Sequence, residues 1–151
     1  MNPDGFHNHC DNKGATLTVI ITNDGYIFGG FTTVPWTSPV GLGVYKSDNK
    51  AFIYSLSDGK QPPRSPSKFG IKSNGGEGAV CHDSDFGPTF GCGHDIVLWW
   101  CNNTNKRYCN IGNTYELPPS YKYGEENTRS YMAGSFNQWV VKEVLVYLVY
   151  Q

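Results

Sequence analysis

Short runs of branched and aromatic residues, each ending at a glycine- or proline-rich turn, divide most of the chain. The first run, Thr16–Thr22, is followed by Asn23-Asp24-Gly25, and an Asp-Gly pair readily takes the positive φ that tight hairpin turns require. Tyr26–Thr32 then returns as a second strand. The pair Gly29-Gly30 inside it indicates a bulge or a close backbone approach. This pattern predicts a β-hairpin.

The same criteria predict further strands at 51–56, 69–72, 78–81, 95–101 and 139–150. The last carries Lys142-Glu143, which marks a bulge or an outward-facing point. Segments 34–49, 57–67 and 102–123 are predicted loops, the first exposing Trp36, and 125–128 is predicted to form one helical turn. Six or seven strands joined by glycine-rich turns predict a mainly β (α+β) fold, a two-sheet antiparallel β-sandwich with few short helices. We find neither a repeat nor a linker, so residues 1–151 are predicted to be a single domain.

Composition and charge narrow the classes of function. A chain of 151 residues suits one domain, and a formal net charge of −1 gives no electrostatic reason to expect nucleic acid. No run of about 18 apolar residues is present, so no direct membrane insertion is expected. The first residues lack the basic-then-apolar order of a signal peptide. We therefore expect a cytoplasmic protein, and a mature secreted chain stays open.

The cysteines allow two predictions, depending on the compartment. All five lie apart, at positions 10, 81, 92, 101 and 109, and none forms a CxxC pair. In a reducing compartment we expect five ordinary buried thiols. In a secreted chain Cys101 could pair with Cys109 across a loop, near the sequon that begins at Asn102.

A small group of metal donors lies near the start of the chain. His7, His9 and Cys10 could be completed by Asp11 or by Cys81-His82. Zinc sites of known type combine donor pairs from two halves of the site, whereas these histidines have the spacing of one strand face in a fraying terminus. We prefer to interpret them as surface polar residues, and we expect no metal and no cofactor.

Gly91-Cys92-Gly93-His94-Asp95 contains the residue types of a nucleophile, a base and an orienting carboxylate. Neighbours on an extended chain point to opposite faces, so His94 and Asp95 diverge while Cys92 and His94 share a face. We therefore prefer a structural role, in which the glycines permit a tight turn and His94 and Asp95 bond backbone groups. This interpretation predicts that the protein is not an enzyme.

Five segments, in this order, resemble the TLDc domain, a module found in oxidation-resistance proteins. They are Cys10–Thr18, Tyr26–Phe31, Lys50–Leu56, Asp85–Ile96, and Tyr131–Phe136 followed by Val144–Tyr147. The resemblance runs from about Phe6 to Tyr147, the core of the predicted domain. The family usually has glycine at the position of Cys92, so this thiol is not expected to carry a function common to the family.

The resemblance implies a non-enzymatic interaction module built on two antiparallel sheets. TLDc proteins protect cells against oxidative stress, and several bind the vacuolar proton-pumping ATPase and promote its disassembly or inhibition, which implies protein partners such as subunits of that enzyme. Candidate binding residues come mainly from the family motifs, with one carboxylate in the last strand that faces either a pocket or the outside. They are Asp11, Lys13, Gly14, Gly87, Pro88, Thr89, Gly91, Gly93, His94, Asp95 and Glu143.

The chain departs from the family before Cys10. The family normally carries some tens of residues there, including a helix and an apolar strand, whereas nine residues precede Cys10 here. The resemblance then implies either a trimmed domain or completion by another chain, and a sheet edge left open would be a ready site for strand pairing. This supports an alternative function, a structural or assembly subunit joined to other chains, or to copies of itself, through an open edge.

Overall fold

The computed structural model describes residues 2–74, 76–101 and 104–150. It is mainly β, with antiparallel sheets and two short α-helices, as predicted. The helices are α1 (Pro3–Cys10) and α2 (Glu126–Arg129), with a 3₁₀ turn at Gly76–Gly78. The strands are β1 (Thr16–Thr22), β2 (Tyr26–Thr32), β3 (Val44–Lys46), β4 (Phe52–Asp58), β5 (Ser67–Gly70), β6 (Val80–His82), β7 (Ile96–Cys101), β8 (Thr104–Cys109) and β9 (Val141–Leu148).

The first sheet has five strands in the order β5-β4-β2-β1-β9. The predicted hairpin lies at its centre, where β1 pairs with β2 through a turn in which Gly25 has φ 84°. Both glycines of β2 permit close approach, as predicted. A Cβ at Gly29 would lie 1.9 Å from the Thr18 carbonyl oxygen, and one at Gly30 would lie 2.6 Å from the Phe90 ring.

The second layer consists of two antiparallel pairs, β3 with β6 and β7 with β8. Phe90 links them, because it forms one antiparallel bridge with Val80 and another with Ile96. Its fully buried ring reaches across to Gly30 of the first sheet and packs edge-on against Trp36, with centroids 5.8 Å apart. The hydrophobic core therefore lies between the two layers, as expected for a sandwich.

Several predictions are wrong in detail. Trp36 is buried, and its indole Nε1–H donates to the Thr16 hydroxyl over 2.8 Å. The predicted loops 34–49 and 102–123 contain the strands β3 and β8, respectively. Each segment is a strand because it pairs with a neighbour, β6 or β7, although its own composition does not favour one. By contrast, the helical turn predicted at 125–128 is present as α2, and the chain does bulge at Lys142, opposite Ile21 and Thr22.

The start of the chain is a helix rather than a frayed strand-like segment. Asn2 caps α1 by accepting the Gly5 N–H over 2.7 Å, and Pro3 fits the first helical turn because its missing N–H needs no partner there. Phe6 and Cys10 form its buried side, and the Phe6 ring packs edge-on against Trp36. None of the helices in the described part of the chain is long and apolar enough to cross a membrane.

Candidate functional site

The Asp95 carboxylate organises the loop that follows β8. It is fully buried and accepts N–H groups from Gly112 at 2.8 Å, Thr114 at 3.1 Å and Tyr115 at 3.3 Å. Burial raises the pKa of Asp95 to about 6, although these backbone donors act in the opposite direction. The side chain therefore bonds backbone groups, as predicted, and is engaged inside the protein.

Gly91 makes room for this carboxylate. Its φ of 94° lies in the left-handed region, and a Cβ there would stand 2.1 Å from Asp95 Oδ1. Since an L-amino acid is disfavoured at this φ and the added carbon would overlap the oxygen, only glycine fits. The glycine of the motif is thus explained by packing inside the second layer.

His94 turns the other way, towards the surface. Its φ is 61°, and its ring Nδ1 lies 2.9 Å from the Tyr108 hydroxyl while Nε2 lies 3.5 Å from the Tyr45 hydroxyl. The Phe86 ring packs edge-on against it, with centroids 5.3 Å apart. Burial lowers the pKa of His94, and nearby Asp83 partly opposes this effect. The imidazole contacts phenols rather than the backbone groups predicted for it, so that part of the prediction is wrong.

These contacts define a half-buried aromatic patch, the His94 cluster, formed by Tyr45, Phe86, His94 and Tyr108. Cys92 lies at its edge, exposed and not in a disulfide, and its side chain hydrogen-bonds with that of Tyr45. His94 and Asp95 diverge, as expected for neighbours, and each is engaged with different partners. The structure therefore does not assemble the nucleophile, base and carboxylate that the residue types suggested.

His7 connects the His94 cluster to the turn after α1. Its Nδ1 lies 2.8 Å from Asp11 Oδ1, and its Nε2 lies 3.0 and 2.9 Å from the carbonyl oxygens of Asp83 and Phe86. Asp11 also forms a parallel bridge with Trp36. The structure thereby brings together two predicted site residues, Asp11 and His94, through His7 and Phe86.

The other predicted site residues fall into three places. Lys13 is exposed on the turn after α1, and Gly14 there has open space around it and φ 103°. Gly93 is exposed beside Asn113. A third group is buried and leads into the central Phe90 bridge, and it consists of Gly87, Pro88 and Thr89.

Glu143 lies far from these residues. It is exposed on β9 opposite Ile21, whereas the turn with Lys13 and Gly14 precedes the other end of β1. Along a strand, this separation is roughly 17 Å from Thr16 to Ile21. Of the two orientations considered, Glu143 has the outward one.

The cysteines are not all buried, because Cys92 is exposed. Burial raises the pKa of the Cys10 and Cys109 thiols and that of Cys81 to about 11, so these three stay protonated near neutral pH. Cys109 is a free thiol opposite Ile96, at the far end of the β7–β8 pair from Cys101, so this structure lacks the disulfide considered for a secreted chain. The sequon residues Asn102 and Asn103 lie outside the described residues.

The potential metal donors near the start of the chain do not converge. His9 Nδ1 lies 2.7 Å from the Gly5 carbonyl oxygen, and His7 is engaged with Asp11. Among residues 2–74, 76–101 and 104–150, no group of three or more His, Cys, Asp or Glu side chains could hold a metal ion.

Sequence reasoning missed the phenols around His94. Tyr45 is on β3 and Tyr108 on β8, the two strands that were not predicted. Each hydroxyl lies near His94 because the second layer brings these distant segments together. Burial raises the pKa of both phenols, so both remain hydroxyl groups at neutral pH. For Tyr108, an aromatic residue in an otherwise polar segment is the one signal that could have indicated the position.

A comparison with known families identifies the class of protein. The family model described as the TLDc domain matches residues 1–134, most of the chain. The chain therefore belongs to the TLDc domain family, a family associated with resistance to oxidative stress and generally non-catalytic. A search of curated proteins found no match. Strand β9 begins after the matched residues.

Proposed function

We propose that this chain is a non-enzymatic interaction module that takes part in oxidative-stress protection by regulating the vacuolar proton-pumping ATPase. The observation that carries the proposal is membership of the TLDc family over residues 1–134. The local geometry supports it, because Asp95 is engaged with backbone groups and His94 with phenols. Neither is placed to activate the Cys92 thiol as a catalytic pair would be.

The contact surface we assign to this role extends from the turn after α1 to the His94 cluster. Lys13 is exposed at one end and Tyr45 of the His94 cluster at the other, and His7 fixes α1 to the 83–86 loop between them. A surface held by hydrogen bonds to two carbonyl groups presents its side chains in one arrangement. Such preorganisation lowers the entropic cost of binding a protein partner.

The test is affinity capture with the purified chain from a lysate of its source cells, followed by mass spectrometry. We expect recovery of peripheral-sector subunits of the proton-pumping ATPase, and inhibition or disassembly of the purified enzyme when the chain is added. Lys13→Glu should reduce capture at least about tenfold, since it reverses an exposed charge at the contact surface. The matched control Lys60→Glu, on an exposed lysine beside Asp58, should retain capture.

Failure to recover any ATPase subunit at a detection limit that recovers an added standard would contradict the regulatory role. Equal loss of capture in both lysine variants would move the contact away from Lys13. Loss of ATPase inhibition on thiol alkylation of Cys92, with folding retained, would instead indicate thiol chemistry.

A second function, an assembly subunit joined through an open sheet edge, is favoured by one specific observation. Strand β9 has eight residues and a single neighbour, β1, in the described part of the chain. A long apolar edge strand is a template for pairing with another strand.

A further inference from the structure

The two outer strands of the five-stranded sheet differ in how their free sides are occupied. Beside β5, the Glu116 N–H donates to the Gly70 carbonyl over 2.9 Å, and Lys72 N–H donates to the Thr114 carbonyl over 3.0 Å. No such bond reaches the outer side of β9 from any residue that the structure describes. Among the described residues, the β9 edge is therefore open along its length.

The ladder with β1 determines which backbone groups of β9 are open. Val149 N–H donates to the Ala15 carbonyl over 2.9 Å, so the backbone polar groups of Val149 point towards β1. Because directions alternate along an antiparallel strand, Tyr147, Leu145 and Glu143 also bond towards β1. The N–H and C=O groups of Val144, Val146 and Leu148 consequently point away from the sheet.

We propose that a second copy of this chain pairs with this edge, β9 against β9 in antiparallel orientation, about a two-fold axis at Leu145. In this register Val144 bonds Val146 of the second copy, and Leu145 lies opposite its own counterpart. The five-stranded sheet then becomes a continuous ten-stranded sheet. The inference deepens the assembly alternative and rests on it for its biological role.

The side chains support this register. Across the two-fold axis Glu143 lies opposite Tyr147 in a non-hydrogen-bonded pair, the type in which opposite side chains are closest. The Tyr147 hydroxyl can donate to the Glu143 carboxylate at both ends of the interface, and both side chains are exposed in the single chain. No two like charges are opposed, because Lys142 meets Leu148, which is 44% exposed.

Other features of the chain fit a second copy as the occupant. The usual protections of an edge are confined to one end of β9, where the bulge at Lys142 and the charge of Glu143 lie, and residues 144–148 contain neither proline nor a charged side chain. The Tyr147 side chain, 52% exposed, continues the apolar outer face formed by Leu17 and Val19 of β1. A formal net charge of −1 produces little repulsion between copies.

The register is tested by cysteine crosslinking in a Cys92→Ser background, which removes an exposed native thiol. Leu145→Cys should form a disulfide dimer under mild oxidation, since paired Cα atoms would lie about 4.5 Å apart, within the disulfide range. The matched variant Tyr147→Cys should crosslink at least tenfold more slowly, because its two copies would lie about 13 Å apart along the strands. The Cys92→Ser parent gives the background rate.

Association itself is measured by sedimentation equilibrium from about 1 to 100 µM. The unmodified chain should dimerise, and Leu145→Lys should raise the dissociation constant at least about tenfold by opposing two lysines. Leu56→Lys is the matched control, with the same change on the same sheet face at an exposed position near β5, and it should dimerise like the unmodified chain.

A chain that stays monomeric at the highest concentration overturns the proposal, whatever other protein binds the edge. If Leu145→Lys and Leu56→Lys weaken dimerisation equally, the dimer forms through the whole apolar face, and pairing at the β9 edge is overturned. If cysteines at positions 145 and 147 crosslink at equal rates, the proposed register is overturned. Capture of ATPase subunits by a monomeric chain would support the regulatory function and overturn the dimer. Dimerisation without such capture would support the dimer and contradict the regulatory function.

Discussion

The second layer and the β9 edge differ in how their backbone polar groups are bonded. In the second layer, one buried carboxylate accepts three N–H groups of a single loop, and Phe90 forms bridges to two strands. At β9, the outward-pointing N–H and C=O groups of Val144, Val146 and Leu148 have no backbone partner among the described residues. A substitution in the first region should therefore cost folding, and one on the open edge should mainly cost association.

Burial of a family-motif residue therefore does not by itself indicate a binding site in this fold. Four of the motif residues that resemble the family most closely, Gly87, Pro88, Thr89 and Gly91, are buried and build the second layer. The surfaces that we propose for partners are instead the turn after α1, the edge of the His94 cluster and β9. The buried motif residues are therefore explained by the fold, and the proposed contacts lie on residues around them.

The largest expected effect is on folding, from Gly91→Ala. It introduces a Cβ at φ 94° and 2.1 Å from Asp95 Oδ1, so we expect a loss of about 4 kcal/mol in unfolding free energy by urea denaturation. The matched variant Gly14→Ala also has a positive φ but open space, and should lose about 1 kcal/mol. Equal losses would mean that packing around Asp95 is not the constraint.

A pair of proline substitutions on β9 separates its two sides. Leu145→Pro removes an N–H that bonds towards β1 and should lower the unfolding free energy by about 3 kcal/mol. Val146→Pro removes an N–H that points outward, so it should cost the monomer about 1 kcal/mol while preventing dimerisation. Denaturation and sedimentation of both variants provide the measurement. The reverse order of the two losses would contradict the assigned ladder.

The pH dependence of stability tests the buried imidazole of β6. Burial lowers the pKa of His82 to about 4, below its ordinary value of 6.5. The unfolded chain therefore binds a proton that the folded protein excludes, and the stability present above pH 6.5 is lost as the pH falls towards 4. Between pH 7 and 4 the unfolding free energy should fall by about 3 kcal/mol more than in His82→Gln. Parallel pH profiles would show that His82 does not contribute.

The smallest effect is expected from Cys92→Gly, which places the usual family residue at an exposed position. Its unfolding free energy should change by no more than about 0.5 kcal/mol, and capture of partners should be retained. Lost function in a folded Cys92→Gly protein would overturn the non-catalytic proposal. Retained function sharpens the contrast, because an exposed residue inside the motif would then be dispensable while its buried neighbour Gly91 is not.

The strands that were predictable are those whose composition already suits a pleated, buried surface. Thr16–Thr22 alternates in burial along its whole length, and its Asp-Gly turn returns the chain as predicted. The polar segment that forms β8 and the glycine-flanked Val44–Lys46 were missed. They are strands because β7 and β6 provide partners, and partner strands can outweigh local preference.

The candidate site was predictable to the same limited extent. The motifs indicated Asp11, His94 and Asp95, and adjacency in sequence correctly indicated that the last two diverge. The partners of His94 come from segments more than ten residues away in either direction, Tyr45 and Tyr108, so local pattern carried no signal for them. The prediction that Trp36 is exposed was wrong for the same reason. Its loop is polar and proline-rich, but the fold places the indole against the Thr16 hydroxyl.

The class of fold, the hairpin at its centre and the family follow from residue order, because they depend on local preferences and on motifs that stand in order along the chain. The folded structure was needed to show that Asp95 is enclosed, that His94 contacts two phenols and that β9 has a single neighbour among the described residues. Each of these depends on which segments become neighbours in space. Hydrogen bonds and burial are set by those neighbours, and residue order does not specify them one segment at a time.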